Sequence, residues 1–446
     1  MSQTKAQLLG PLVGSNIDVE GDLNFDSGTF KVDPTNDRVG INNANPTKTL
    51  DVGGDTQVAD LYYTADYPTI RPTLDLVFDK VKRLDSRVTF TRTSTATYVG
   101  ADGLINTAAV DEPRFDHDPV TGESLGLLIE ESRTNRFSNS TTYAGTGWNL
   151  QSTNGVTTNT TDVVAPDGSL TATKWQPTTS TVQYIYAGTN GALGTFTYTM
   201  SVWVKTPAGE STTFSMNLFS PTQSPGAAAF TATDTWQRFS WTFTAQNQTT
   251  AYPVLVEQLN KILYIWGPQI EAGSFPTSYI PTSGSTVTRS RDIMSITGSS
   301  FTSFINNDEG TWSIDYKNVG TGAGLLLISD GTNGGRYMQL NIASDTQVSA
   351  SLVNGSTAVT LSQNPIASSR NNFTKIAFAV KENDFAFSAN GNTTLTDTTN
   401  VSLPIPTSLT LYYAPSIGSL FPYAYFRRLT YYPRRLNNSQ LQNITL

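Results

Sequence analysis

The chain's one histidine, His117, lies in RFDHDPVTGESLG between Asp116 and Asp118. Two carboxylates around an imidazole can begin a metal site. A zinc centre needs a third or fourth protein ligand, and the sequence has neither a second histidine nor a cysteine to supply one. A turn-stabilising histidine paired with a carboxylate is the simpler reading of DHDPVTG. Glycoside hydrolysis asks for two carboxyls flanking one bond. Glu130 and Glu131 in LLIEESRTNR and Glu257 in VLVEQLNK are strand-associated carboxylates. Adjacent residues of an extended chain point to opposite faces, so Glu130 and Glu131 cannot serve the same bond. Neither HExxH nor a phosphate-cradling glycine loop occurs.

Two loops, DPTND at 33–37 and SDGTNGGR at 329–336, space Asp and Asn oxygens with turn residues as hard-cation loops do, but without the bidentate glutamate of an EF-hand. Turn chemistry explains both. Asp330 and Asn333 are the better calcium candidates, because their loop joins two strands of the expected last sandwich, and no other cofactor is expected. Sugar recognition needs an aromatic platform beside amides and hydroxyls. Trp148 in AGTGWNLQSTNG, with polar neighbours throughout, and the strand residues Tyr184, Tyr186, Trp203 and Tyr337 are the candidates. Trp203 lies opposite the apolar Tyr198/Met200 face, exposed or packed on a neighbouring subunit, whereas Trp241 and Trp312 read as core.

The elements that must position these residues are strands. Charged residues make up 14% of the 446-residue chain, against an ordinary value of about 25%. Thr, Ser, Asn and Gly replace them, with 19 Tyr, 21 Phe and 7 Trp, a β-rich composition that suits contact with neutral polar ligands. A net charge of −8 argues against a nucleic-acid partner. Zero cysteine excludes disulfides and thiolate chemistry. The opening MSQTKAQLLGPLVG lacks the apolar run of a secretory signal, and no stretch approaches the 18 apolar residues of a membrane span. A soluble chain with no membrane insertion, reaching the outside by lysis as a virus particle does, fits both observations.

Residues 16–54 alternate two-residue apolar stripes (Ile17/Val19, Leu23/Phe25, Phe30/Val32, Val39/Ile41, Leu50/Val52) with turn residues. Such stripes cannot bury a core alone, so copies must pack or wrap together. After residue 73, Leu74, Leu76 and Phe78 alternate as in a half-buried strand, while Leu74, Val77, Val81, Leu84 and Val88 also fit a short coiled coil. TFTYTMSVWVKT places Tyr198, Met200, Val202 and Val204 on one face, and TWQRFSWTFTA does the same with Phe239, Trp241 and Phe243. Further on, Trp312, Ile314 and Tyr316 share a face. Ile376, Phe378 and Val380 are expected to turn at ENDF and meet Phe385 and Phe387. Only RRLNNSQLQNI reads as helix, capped at Asn438.

Residues 87–136 (RVTFTRTSTATYV through LLIEESRTNR) and 267–292 (GPQIEAGSFPTSYIPTSGSTVTRSRD) closely resemble a module of bacteriophage tail-fibre and related virion proteins, in which they bracket a carbohydrate-binding-like jelly roll. NDRVGINNANPTKTLDVGG resembles a β-rich repeat of trimeric phage fibres. The end of the chain, YFRRLTYYPRRLNNSQLQNI, is similar to concanavalin-like or laminin-G-like sandwiches. The resemblance implies an all-β protein. Residues 1–66 would form an intertwined trimeric stem that anchors to tail or capsid proteins, 67–296 a jelly roll, and 297–446 a second sandwich. It implies a non-enzymatic virion fibre that binds host surface polysaccharide as a homotrimer. A spacer fibre without receptor specificity and a polysaccharide depolymerase are the alternatives.

Overall fold

The structure is a computed structural model. It describes residues 23–25, 30–33, 38–42, 45, 50–52 and 68–446, apart from 144–146, 151–154, 179–182, 220–225, 257–259, 321–323, 332–334, 345, 365, 367–370 and 412–422. The chain divides into two units, Met1–Thr64 and Ala65–Leu446. It is built almost wholly of strands in antiparallel sheets. Among the described residues no helix is long and apolar enough to cross a membrane.

In the first unit, Leu23–Phe25, Phe30–Asp33 and Arg38–Ile41 pair antiparallel in sequence order, and Leu50–Val52 joins the third strand in parallel. Four of the five apolar stripes are therefore strands, and Ile17/Val19 lies outside the described residues. Phe30 pairs with Ile41, Val32 with Val39, and Ile41 with Val52, which sets these five apolar residues on one face. Phe30 and Ile41 are 38% and 40% exposed there.

The second unit contains two sandwiches. The first has two five-stranded sheets. One runs Trp148–Leu150, Gln183–Gly188, Thr250–Val256, Thr212–Phe219, Ala227–Ala232, and the other runs Val156–Thr157, Thr173–Trp175, Leu263–Ala272, Thr197–Lys205, Gln237–Thr244. Met200, Val202, Val204, Phe214, Met216, Leu218, Ile265 and Trp175 fill the space between them and are fully buried or nearly so. Side-chain alternation thus does what the sequence requires, with one apolar face in and one polar face out. Trp241 is half-buried at the edge of this core, because its strand ends the sheet.

The second sandwich recruits strands from far earlier in the chain. Its larger sheet orders Leu395–Asp397, Asp384–Ala389, Phe373–Lys381, Glu309–Asn318, Tyr423–Tyr432, Ser124–Glu130, Arg114–His117, with Leu74–Val77 also on Tyr423–Tyr432. The facing sheet ends in Ile293–Thr297 and Thr89–Thr91. The sequence placed 67–296 in one jelly roll. In the structure Leu74–Val77, Thr89–Thr91, Arg114–His117 and Ser124–Glu130 complete the last sandwich instead, because Leu74, Leu76, Phe78, Leu127 and Ile129 cover the same core as Trp312, Ile314 and Tyr316. Leu74–Val77 is a strand, so the strand reading of that segment holds over the coiled coil. The expected hairpin forms, with Phe378 opposite Phe387 and Val380 opposite Phe385. The final helix, Asn438–Ile444, is capped one residue earlier than expected. Asn437 Oδ1 accepts from the Gln440 N–H at 2.8 Å while Gln440 returns a bond to the Asn437 N–H, a capping box that Asn438 cannot make.

Candidate functional site

Tyr184 and Tyr186 lie on Gln183–Gly188, two residues apart, while Ile185 and Ala187 between and after them enter the core. The tyrosines therefore share the face turned away from it. The neighbouring strand Thr250–Val256 is central in its sheet yet contains Pro253. Proline has no N–H to give a ladder, so a central strand accommodates it only at a bulge. The register shifts on both sides of Pro253, between Ile185 and Ala187 on one neighbour and between Ser215 and Asn217 on the other. That shift sets Tyr252 against the first two tyrosines. Its ring centroid is 4.9 Å from Tyr184, edge-on, and 5.2 Å from Tyr186, and Tyr184 and Tyr186 are 5.7 Å apart. All three are half-buried.

Amides flank the three rings. Asn149, exposed, is the cross-strand partner of Tyr186, and Asn217, half-buried, is the partner of Tyr252. Asn217 Oδ1 accepts the Leu218 N–H at 2.7 Å, which fixes the amide. A row Asn149, Tyr186, Tyr252, Asn217 thus crosses four adjacent strands, with Tyr184 beside it. Aromatic faces and edges next to amide and hydroxyl groups can stack on the apolar face of a sugar ring and hydrogen-bond its hydroxyls. Tyr252, Asn149 and Asn217 were not singled out from the sequence. Pro253 within an otherwise β-forming run was the available signal.

The other candidates are placed elsewhere. Trp148 is half-buried against Phe137 and Tyr143, at 5.1 and 4.5 Å between centroids, and its indole N–H donates to the Asn139 carbonyl at 2.6 Å. Trp203 packs within its own chain, against Trp266 and Tyr279, with the Arg238 guanidinium 4.4 Å from its ring centre. Tyr337 is half-buried in the second sandwich, paired with Ser329 and Val353. Asp330 is half-buried and engaged within the chain, and Asn333 and Glu257 lie outside the described residues. Among the described residues no three His, Asp or Glu side chains gather as a metal site.

The DHD motif is taken up by structure. The Asp116 carboxylate accepts the Val99 N–H at 2.5 Å, the Asp118 carboxylate accepts the Val120 and Thr121 N–H groups at 2.9 Å, and His117 Nδ1 lies 3.1 Å from the Val99 carbonyl. The histidine's partner is thus a backbone carbonyl and not a carboxylate, because the neighbouring carboxylates are already turned to backbone N–H groups.

Glu130 and Glu131 diverge. Glu130 enters a buried network in which Arg114 Nη1 donates to it at 2.7 Å, Ser278 donates from both N–H and Oγ at 2.7 and 2.6 Å, and Arg289 approaches to 3.5 Å. Asp292 accepts from Arg92 at 3.0 Å, Arg114 at 2.5 Å and the Glu130 N–H at 2.8 Å. Burial alone would raise the Glu130 carboxyl, but Arg289, Arg114 and Ser278 overcome it and hold it at about 2. Burial likewise disfavours charge on Arg114, and Asp292 and Glu130 more than offset that, leaving it above the usual guanidinium range. The two segments that bracket the first sandwich, 87–136 and 267–292, meet at this network. Glu131 turns the other way and pairs with Arg133.

No protein-family model and no curated protein matches the chain. Among solved structures, the Ruminococcus gnavus IT-sialidase CBM40 bound to α2,3-sialyllactose is similar over 33% of this chain and 86% of its own, at 21% identity and TM-score 0.30. A leech intramolecular trans-sialidase is similar over 33% of this chain and 24% of its own, at 16% identity and TM-score 0.29. Botulinum neurotoxin type C is similar over 35% of this chain and 40% of its own, at 13% identity and TM-score 0.28. Likeness this distant transfers no ligand or residue role to this chain.

Proposed function

We propose that this protein is a non-enzymatic virion fibre that attaches its particle to polysaccharide on the host cell surface, working as a homotrimer. The observation that carries the reading is the row of three tyrosine rings between two asparagine amides on the outward face of the first sandwich. Such a surface offers stacking and neutral hydrogen bonding with no charged group in the row, which suits a neutral polar polymer. The exposed apolar face of the small N-terminal sheet supports self-association of residues 1–66, the stem that would join tail or capsid proteins. Three linked copies convert a weak single contact into avidity.

The test is to incubate the purified full chain with host cells and with their envelope polysaccharide, following retention, block of particle adsorption and release of reducing ends. Retention and block without new reducing ends is the expected result. Absence of retention would leave a spacer fibre, and new reducing ends would make the protein a depolymerase.

A further inference from the structure

Away from the tyrosine row, the first sandwich carries a cleft of about 650 Å³ between the segment 131–136, the start of Thr197–Lys205 and the turn at 273–275. At its wall the Arg133 Nε donates to Oε1 of Glu131, and Nη2 is ion-paired with the same oxygen. Arg133 lies over the Phe275 ring at 4.9 Å and fills the space that Gly273 leaves by having no Cβ. The Arg133 and Glu131 side chains are only 7% and 11% exposed, so the pair is held rigidly and its charges cancel. Among the described residues no hydrogen bond reaches the second Glu131 oxygen, Oε2. Arg136, also on the wall, donates to the carbonyls of Thr189 and Asn190. At the rim Phe196 is 68% exposed, beside the exposed hydroxyl residues Ser132, Thr197 and Ser274.

We infer that this cleft is a second carbohydrate subsite, which takes one neutral pyranose unit. A ring stacked on Phe196 would place hydroxyls toward a fixed, charge-compensated carboxylate oxygen below and toward hydroxyl groups at the rim. Pre-set polar groups under an apolar wall are how small polar ligands are oriented. The Glu131 and Arg133 charges cancel and the Arg136 guanidinium is engaged by two backbone carbonyls, which leaves the Glu131 oxygen and the rim hydroxyls as the polar groups offered to a sugar. Glu131 is the only carboxylate lining the cleft among the described residues, an arrangement suited to holding a glycan rather than to cleaving it. The inference rests on the glycan-binding reading but concerns a different surface, so the two fail separately.

Saturation-transfer NMR on the full chain tests it, with the methyl glycosides of glucose, galactose, rhamnose and N-acetylglucosamine as neutral probes and methyl glucuronide as the acidic one. At least one neutral glycoside is expected to keep its signal in the Tyr186→Ala/Tyr252→Ala variant and to lose most of it, about fivefold or more, in Phe196→Ala. Glu131→Gln, which loosens Arg133 while sparing the exposed ring, should weaken the same glycoside. The inference is overturned if Phe196→Ala leaves every signal unchanged, if only the glucuronide binds, or if the tyrosine variant alone abolishes all signals. In the last case cell retention that depends on the tyrosines leaves the main reading standing. Silence from all probes together with no retention on cells overturns both.

Discussion

Asp116 shows how much a single buried group sets the response of this protein to pH. Burial pushes its carboxyl up to about 7, with the Val99 N–H, Arg114 and Tyr425 pulling the other way. An unfolded aspartate titrates near 3.9, so between about pH 4 and 7 the folded chain binds the extra proton and stability falls as pH rises. Glu131 and Asp315, both raised to about 6 by burial, act in the same direction. Glu130 acts oppositely. Held at about 2, it contributes stability that is present above the unfolded value near 4.3 and lost as pH falls toward 2. Stability should therefore peak near pH 4 to 5. Urea unfolding at pH 4.5, 6 and 8 should show Asp116→Asn reducing the loss on the neutral side, by up to about 1.4 kcal/mol per pH unit, and an unchanged slope would refute the assignment. Little of this was legible in DHD itself, because the Val99 and Tyr425 partners come from other strands. Tyr184 and Tyr186 were legible from alternation. Tyr252 was not, because its place depends on a bulge at Pro253 that a single strand does not reveal.

Among the elements, what joins the two sandwiches of the second unit is charge as well as apolar packing. Arg92, Arg114, Arg289, Glu130 and Asp292 are each at most 4% exposed. Two buried carboxylates among three guanidiniums are costly to desolvate, and removing one partner strands the rest. Asp292→Asn deprives both Arg92 and Arg114 of their shared carboxylate, and should destabilise the unit by about 3–5 kcal/mol, measured by denaturant unfolding. A change below about 1 kcal/mol would show that the network is dispensable. Strand existence and facing were readable here, as the buried Trp312, Ile314 and Tyr316 and the Phe378/Phe387 hairpin show. Which sheet each strand joins was not. Leu127 pairs with Phe426 and Leu76 with Leu429, partners 299 and 353 residues away (426 − 127 and 429 − 76), and periodicity carries no information about such distance.

Taken whole, the chain sets an N-terminal unit with an exposed apolar sheet face before a large unit whose cores are complete. Self-association should therefore reside in the first unit. Ile41→Asp, on that face, should convert the expected trimer toward monomer in light scattering while the sandwiches keep their unfolding transition, and an unchanged trimer mass would place the interface elsewhere. Without cysteine, the second unit is held by two packed cores and a buried ionic joint. Recognition is assigned to the outward tyrosine row. The most direct measurement of that claim is calorimetric titration of the full chain with host envelope polysaccharide, wild type against Tyr186→Ala/Tyr252→Ala. We predict at least about tenfold weaker binding in the variant, about 1.4 kcal/mol, at unchanged thermal midpoint. Equal affinity in the two proteins would contradict the account.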